Sequence, residues 1–306
     1  MFDQQDTYAH AAAVAPAPRA IRRSRSGSAL VVAAVLLLAA CGSSDSDGAK
    51  ETVTTAAGAS TTEAPSTTEA PAAEPLEILV SNDDGYAAEG IDSLVVALQT
   101  LDDVKITVVA PLEQQSGTGG KSTEGDLAVT DVELASGYAA KAVDGFPSDA
   151  VRVAIDDLGI EPDLVVTGIN EGQNLGPLVD VSGTVGAARA AVARDVPALA
   201  TSSGLGDPVD YAAATPLVLD WIEEHREAIA SGDEPVAVTN LNVPTCGTGE
   251  VRGLVETEAD LDGDGGQAIG GKSDCTSTAA KDPAAGDLAE FLLGFATITP
   301  VNPTPG

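Results

Sequence analysis

The sequence predicts an α/β fold in which helices cover both faces of a mostly parallel sheet. From Leu76 onward, short aliphatic runs bounded by Gly, Pro, Asn or Asp alternate with amphipathic stretches, a pattern typical of crossover units. The runs contain few polar residues, as expected for strands buried on both faces. With 306 residues and 43% hydrophobic composition, the chain can bury a full-sized core. We therefore expect one three-layer, Rossmann-like domain over residues 76–303.

The elements are predicted in alternating order along this domain. Strands are expected at 77–80, 105–109, 163–166, 198–200 and 236–238, and helices at about 89–101, 147–158, 184–194 and 209–230. The last helix places Trp221 and Ile222 on an apolar stripe opposite glutamates. Residues 245–287 are rich in Gly and Asp and have little periodicity. A hairpin or a projecting loop region is therefore expected there.

Residues 1–40 are predicted to be an export signal with a lipoprotein cleavage box. Four arginines precede the apolar run 29–40, which is shorter than the roughly 20 residues needed to span a bilayer. The run ends in Leu38-Ala39-Ala40-Cys41, which resembles a bacterial lipobox with Cys41 as the lipidated residue. An ordinary signal peptide followed by a coincidental cysteine is the alternative.

Residues 41–75 are predicted to be a disordered tether. After Cys41 they are almost wholly Ser, Thr, Ala, Gly, Pro, Glu and Asp, with Thr-Thr-Glu-Ala-Pro at 61–65 and again at 67–71. Such a composition buries too little apolar surface to offset the entropy of ordering. We expect an exported, lipid-anchored protein at the cell surface or on the periplasmic side of the cell membrane.

Charge and composition exclude two classes of function. The formal net charge is −32, which leaves no basic stripe for a polynucleotide backbone. The chain has two histidines, His10 and His225, too few for a multi-histidine zinc site. His225 lies in the acidic predicted helix and is interpreted as a surface residue. Carboxylates, hydroxyls and amides must therefore carry the chemistry.

Two cysteines, Cys246 and Cys275, follow the predicted signal and tether. A pair of cysteines in an oxidising compartment predicts a disulfide. Two free buried thiols are the alternative.

The first predicted strand ends in Ser81-Asn82-Asp83-Asp84-Gly85. Adjacent carboxylates repel each other unless a cation or a proton lies between them, and oxygen ligands favour Mg²⁺, Mn²⁺ or Ca²⁺. A solvated turn is the alternative, since this composition is also typical of turns.

The second strand leads to a Gly- and hydroxyl-rich loop, 114–123. Its end, Gly-Lys-Ser-Thr, is not a nucleotide-triphosphate loop, because that motif requires Gly where Gln115 stands. Ser116 could instead offer a neutral oxygen to a metal, and Lys121 a positive charge.

The third strand is followed by Asn170, and Ser182-Gly183-Thr184 then opens an Ala-rich helix. Free N–H groups and the helix dipole make such a start an anion site, although a plain N-cap has the same sequence. Parallel strands bring their carboxyl ends together. One shared site is therefore expected.

Together these motifs resemble the SurE (survival protein) family of metal-dependent nucleotidases. The resemblance extends from about residue 76 to 301 and includes Asn240-Leu241-Asn242-Val243-Pro244 and Ala296-Thr297-Ile298-Thr299-Pro300. It implies metal ligands, catalytic carboxylates and phosphate-binding residues. The metal ligands would be Asp83, Asp84, Ser116 and Asn170, of which Asp83 and Asp84 are catalytic, and the phosphate site would contain Asn174, Ser182, Gly183 and Thr184.

The resemblance also implies a reaction and an assembly. Family members release phosphate from nucleoside monophosphates with Mg²⁺ or Mn²⁺, usually as dimers or larger homo-oligomers. The chain departs from the family at Gly145-Phe146-Pro147, where Gly-Thr-Pro is usual, and in the acidic segment 245–287. It also has a predicted export signal, whereas the relatives are mostly cytoplasmic.

Two further hypotheses remain open. A lipoprotein that delivers a small ligand to a membrane transporter would also be tethered and acidic. Separately, Asp260, Asp262, Asp264 and Gly265 have the spacing of half a calcium loop, although its twelfth position is Gly271 rather than Glu.

Attachment through Cys41 is directly testable. Cys41→Ser should yield protein that is soluble or unprocessed, because no thiol remains at the predicted cleavage box to carry lipid. Detergent-phase partitioning of the two proteins measures this. Equal partitioning would contradict the lipid anchor.

Overall fold

The computed structural model of the chain describes residues 74–305. The predicted signal segment, Cys41 and the tether up to residue 73 lie outside these residues. Within the described part, no helix combines the length and apolar character that a membrane span requires.

The described residues form one nine-stranded sheet in the order β3-β4-β2-β1-β5-β6-β7-β9-β8. The strands are β1 (Leu76–Ser81), β2 (Val104–Pro111), β3 (Val129–Glu133), β4 (Ala139–Val143), β5 (Leu164–Glu171), β6 (Ala198–Ser203), β7 (Val238–Val243), β8 (Leu254–Glu256) and β9 (Ala296–Val301). All neighbouring pairs are parallel except β3 with β4 and β7 with β9. The mostly parallel sheet is confirmed.

Helices lie between these strands. They are α1 (Glu89–Leu98), α2 (Pro147–Arg152), α3 (Gly183–Val192), α4 (Thr215–Ser231), α5 (Gly265–Gly270) and α6 (Asp287–Leu292), with a π-helical turn at Val153–Asp157 and 3₁₀ turns at Gly176–Asp180 and Pro283–Ala285.

Successive residues of the central strands pack into different cores. Ile78 and Val80 of β1 contact the cluster that contains the apolar faces of α1 and α4, whereas Leu79 belongs to the cluster formed with α2 and α3. Because side chains alternate across a strand, an unbroken apolar run satisfies both faces. The result is the predicted three-layer arrangement.

The order in which strands are added to the sheet reverses at β1. The connection from β1 leads to β2 on one side, whereas β5 pairs with the other side of β1. In open α/β sheets, ligands bind outside the carboxyl ends of strands at such a switch point. The ends of β1 and β5 are therefore where a site is expected.

Of the four predicted helices, α2 and α4 differ most from their expected bounds, whereas α1 and α3 differ by at most three residues at either end. Helix α4 begins at Thr215 rather than near residue 209, because Pro216 lies in its first turn and has no N–H to extend a preceding helix. It ends at Gly232, whose φ of 77° is left-handed and suits glycine. Helix α2 ends at Arg152 and continues as the π-helical turn.

The segment 245–287 differs from the expected hairpin or projecting loop. Its strand β8 extends the sheet by pairing in parallel with β9, and Ala268 of α5 packs with Leu175, Leu288 and Phe291. The carboxylate of Asp287 accepts hydrogen bonds from the backbone N–H of Gly176 at 3.0 Å. Elements of three to six residues are too short to produce a readable period, so the Gly- and Asp-rich composition concealed them.

A disulfide joins Cys246 to Cys275 in the structure. Their Cα atoms are 5.8 Å apart and the sequence separation is 29 residues. The bond ties the loop after β7 to the segment between α5 and α6. It therefore closes the part of the chain that contains β8 and α5.

Removing this disulfide should destabilise the protein. The Cys246→Ser/Cys275→Ser variant should lose about 3 to 4 kcal/mol of unfolding free energy, because the unfolded chain gains the entropy of an open loop of this length. Urea unfolding of non-reduced wild type and variant measures the difference. If both thiols of the non-reduced exported protein could be alkylated, no such bond would exist in solution.

Candidate active site

The end of β1 places two carboxylates at the switch point. Asp83 is 2% exposed, and Asp84 is half-buried. Before them, Asn82 donates from its amide nitrogen to the carbonyl of Gly85 at 2.8 Å, which closes the turn that follows the strand. The acid pair therefore lies in a fixed and largely dehydrated turn.

Burial dominates the electrostatics of this pair. Removal from water raises the pKa of Asp83 to about 6, with a further increase from the negative charge of Asp84, while hydrogen bonds from Thr184 act in the opposite direction. Burial also raises the pKa of Asp84, and the charge of Glu171 adds to this effect. Within the described residues, no basic side chain lowers the pKa of either carboxylate, so both favour a cation.

The loop after β2 contacts the backbone of Asp83 and the carboxylate of Asp84. The backbone N–H of Gln115 donates to the carbonyl of Asp83 at 2.7 Å. The hydroxyl of Ser116 lies 3.4 Å from Oδ1 of Asp84 and accepts a hydrogen bond from Gln114 at 2.6 Å. Ser116 thus adds a neutral oxygen beside the acid pair.

The end of β5 approaches from the other side of β1. The backbone N–H of Glu171 donates to Oδ2 of Asp84 at 3.0 Å. The preceding Asn170 is 6% exposed and donates from Nδ2 to the carbonyl of Gly172 at 2.5 Å. This arrangement brings Asn170 next to the acid pair.

Two buried amide oxygens support a cation site here. Oδ1 of Asn82 and Oδ1 of Asn170 have no hydrogen-bond partner among the described residues, and buried acceptors normally have one. Residues 74–305 contain no group of three or more His, Cys, Asp or Glu side chains placed to share a metal. A metal would therefore depend on two carboxylates and neutral oxygens, a donor set that fits Mg²⁺ or Mn²⁺.

The first turn of α3 faces Asp83. Ser182 is the N-cap, and its hydroxyl oxygen accepts from the backbone N–H of Val185 at 3.1 Å. Thr184 donates from its hydroxyl to Oδ1 of Asp83 at 2.6 Å. A Cβ at Gly183 would lie 2.7 Å from Oδ2 of Asp83, so only glycine fits between the helix and the carboxylate.

Asn174 is held by a network of buried amides. Its side-chain nitrogen donates to Ser202 at 2.9 Å and lies 3.4 Å from the hydroxyl of Thr184. Its backbone carbonyl accepts from Asn240 at 2.9 Å and from Asn242 at 3.1 Å. Asn174 therefore positions Thr184. It also lines the phosphate corner, the predicted phosphate site that consists of Asn174, Ser182, Gly183 and Thr184.

The contacts link the predicted metal and phosphate residues into one region. Sequence reasoning missed Glu171, whose position beside Asn170 was the available signal, and Tyr211. Burial raises the pKa of Tyr211, and the charges of Glu171 and Asp84 contribute, so its phenol lies beside the site. The sequence alone also indicated no role for Asn240 and Asn242, which belong to one of the motifs that resemble the family.

The basic and imidazole groups considered from sequence lie elsewhere or have other partners. Arg189 donates hydrogen bonds to the carboxylate of Asp180 at 2.7 Å and to two backbone carbonyls. Lys121 is exposed. His225 lies in α4, where its ring stacks on Trp221 with centroids 4.3 Å apart.

The aspartates of the candidate calcium loop, 260–265, do not converge on one point in the structure that could hold a cation. Asp264 caps α5, accepting from the backbone N–H of Gly266 at 2.8 Å. Within the described part of the chain, Asp260, Asp262 and Asp264 form no metal-binding group.

Comparison with known proteins identifies the family. The family described as Survival protein SurE matches residues 78–261. The chain belongs to the SurE family. The matched segment contains all the predicted metal and phosphate residues of this site, whereas α5 lies beyond it.

Several relatives share this similarity. The 5′-nucleotidase SurE of Methylococcus capsulatus is 41% identical over 184 residues, which cover 60% of this chain and 70% of the relative. That of Syntrophobacter fumaroxidans is 36% identical over 184 residues, 60% of this chain and 72% of the relative. The crystal structure of SurE protein from Aquifex aeolicus matches with a TM-score of 0.59 at 26% identity, covering 75% of this chain and 94% of that chain.

The raised pKa of Asp83 predicts a pH effect on the metal-free protein. Between about pH 4 and 6 the folded state keeps a proton that the unfolded state has lost, so the free energy of unfolding falls as pH rises. The loss attributable to Asp83 is about 3 kcal/mol and is complete above pH 6.

Urea unfolding at several pH values measures this loss. The Asp83→Asn variant should lack that part of the pH dependence. Added divalent cation should restore the stability that the wild-type protein loses above pH 6. Identical pH profiles for the metal-free wild type and variant would contradict the burial of an unpaired carboxylate.

Proposed function

We propose that this protein is a metal-dependent phosphomonoesterase that hydrolyses nucleoside monophosphates to nucleoside and phosphate. Its membership of the SurE family and its 5′-nucleotidase relatives support a hydrolase of the 5′-nucleotidase type. The observation that carries the proposal is the contact between Asp83 and the first turn of α3. It joins a cation site to an anion site, as a phosphate monoester requires.

The proposed cofactor is Mg²⁺ or Mn²⁺, held by Asp83, Asp84, Ser116 and Asn170. Such a cation, when bound, polarises the phosphoryl group and lowers the pKa of a bound water. The unpartnered Oδ1 of Asn170 and the unneutralised acid pair support this assignment.

The chain's own groups would hold the substrate and move the proton. Ser182 keeps a hydroxyl proton to donate to phosphate, since its oxygen accepts from Val185. The N-terminus of α3 adds the favourable end of the helix dipole. Asp83 or Asp84 would accept the proton of the attacking water, because a carboxylate with a raised pKa is a stronger base near neutral pH.

The location and assembly of the enzyme are part of the proposal. Lipidation at Cys41 and a tether over residues 41–75 would hold the domain outside the cytoplasm. A homodimer or larger homo-oligomer is expected by analogy with the family. The substrate there would be a nucleoside monophosphate or another small phosphomonoester.

A substrate-binding lipoprotein is the competing function. A binding protein has no need for adjacent buried carboxylates, which destabilise a fold unless a cation joins them. Measurement of phosphate released from nucleoside monophosphates and sugar phosphates, with several metals, separates the two. Ligand binding without phosphate release would favour the transport component.

Activity should depend on Asp83 and on divalent cation. Asp83→Asn should lower kcat by about 10²-fold to 10³-fold or more, because the cation loses a charged ligand while the isosteric amide still accepts from Thr184. Phosphate release from AMP, with and without chelator, measures both effects.

Asp102→Asn is the matched control. Asp102 is an exposed residue in the turn before β2, at the opposite edge of the sheet, and its variant should keep full activity. Unimpaired turnover by Asp83→Asn, or by thoroughly chelated wild type, would show that the site is wrongly assigned.

A further inference from the structure

Gln173 is a buried side chain that joins two distant segments to the phosphate corner. It is 5% exposed. Its Nε2 lies near three carbonyls at the end of α5, those of Ala268 at 3.1 Å, Ile269 at 3.2 Å and Gly271 at 3.4 Å. Its Oε1 accepts from the backbone N–H of Leu205 at 3.1 Å. One side chain therefore fixes both α5 and the loop after β6.

These contacts lie next in sequence to the proposed phosphate residue Asn174 and close to the proposed metal ligand Asn170. Gln173 precedes Asn174, which contacts Thr184. The side chain of Leu205 lies over Gly172, where Cδ2 would be 3.2 Å from a Cβ built on that glycine. The carbonyl of the same glycine accepts from Asn170. Leu205 therefore packs near the glycine whose carbonyl holds Asn170, a proposed metal ligand.

Two of the four residues that Gln173 contacts expose apolar surface. Leu205 is 51% exposed and Ile269 is 60% exposed. Single exposed aliphatic residues are ordinary, but here a buried glutamine holds two of them, from separate segments, next to a phosphate corner. Covering such surface is favourable, because it removes apolar area from water.

The surrounding charge restricts what could cover this surface. The neighbouring Glu171 is an exposed carboxylate, and its charge is felt by Asp84 and Tyr211. A second anionic group on the ligand would be repelled there. The group that contacts Leu205 and Ile269 must therefore carry no negative charge, and the two aliphatic side chains favour a partly apolar group.

We propose that Leu205 and Ile269 form an apolar wall that contacts the base of a nucleoside monophosphate, and that Gln173 is the positioning residue for this wall. The proposal rests on the proposed nucleotidase function and specifies its substrate contacts. Ile269, in α5, lies beyond the segment 78–261 that is matched to the family, whereas Leu205 lies inside it.

The wall is tested by comparing a substrate that has a base with one that lacks it. Leu205→Ser and Ile269→Ser should each lower kcat/KM for AMP by about threefold to tenfold, mainly through KM, because partly exposed contacts contribute less than enclosed ones. Hydrolysis of ribose 5-phosphate should change little. Leu158→Ser is the matched control, since Leu158 is 40% exposed but lies before the amino end of β5.

Two substitutions separate positioning from simple packing at Gln173. Gln173→Glu keeps the size and the acceptor for Leu205 but places an oxygen against three carbonyls, whereas Gln173→Met keeps only the volume. Both should lower the ratio of kcat/KM for AMP to that for ribose 5-phosphate, and hydrogen exchange should rise in residues 265–271. An equal effect on both substrates would make Gln173 merely structural and overturn its positioning role.

The outcomes distinguish the wall from the function on which it rests. Hydrolysis of AMP by wild type, with unchanged substrate ratios in Leu205→Ser and Ile269→Ser, overturns the wall alone. No phosphate release by wild type from either substrate overturns both proposals. A lowered ratio in the wall variants, with Leu158→Ser unchanged, supports the wall.

Discussion

The desolvation of two adjacent carboxylates at the end of β1 is the constraint on which the site depends. Asp83 is almost completely buried, and its nearest charged neighbour is another acid. A fold that keeps such a pair out of water loses stability unless protons, donors or a cation compensate. The surrounding elements supply the donors. Thr184 and the backbone of Glu171 each give a hydrogen bond to one carboxylate. Among the described residues, no basic side chain neutralises the remaining negative charge, so a bound cation would have to do so.

The topology explains why these donors can meet. The acids follow β1, and the sheet grows away from β1 in both directions, so the loop after β2 and the end of β5 approach from opposite sides. Helix α3 then returns with its N-terminus toward Asp83, at a distance that only Gly183 permits. Behind this contact, Asn240 and Asn242 on β7 hold the backbone of Asn174. The buried amides of β7 thus hold Asn174, which in turn contacts the hydroxyl of Thr184 on α3.

Much of this arrangement could be predicted from the sequence, and the failures have physical reasons. The apolar run of β1 and the carboxylates after it indicated both the buried strand and the site, because periodicity and motif coincide there. By contrast, β3 is mostly exposed, and β8 has three residues, so neither has a pattern that differs from a loop. The end of α5 is held by long-range hydrogen bonds to Gln173, and contacts between residues about 95 apart leave no local signal.

The division between predicted and unpredicted parts corresponds to a division of roles. Charge chemistry needs particular atoms at fixed positions, so it uses short motifs such as Asn82-Asp83-Asp84 and Ser182-Gly183-Thr184, which can be read directly. Contact with an uncharged leaving group needs only apolar surface at the right place, which many sequences can supply. Its placement must then come from tertiary contacts. Gln173 connects the two, since it lies inside the readable motif segment and its hydrogen bonds reach α5 and the loop after β6. In the proposed arrangement, the carboxyl ends of the strands therefore supply the phosphate chemistry, whereas α5 and the loop after β6 contact the rest of the substrate.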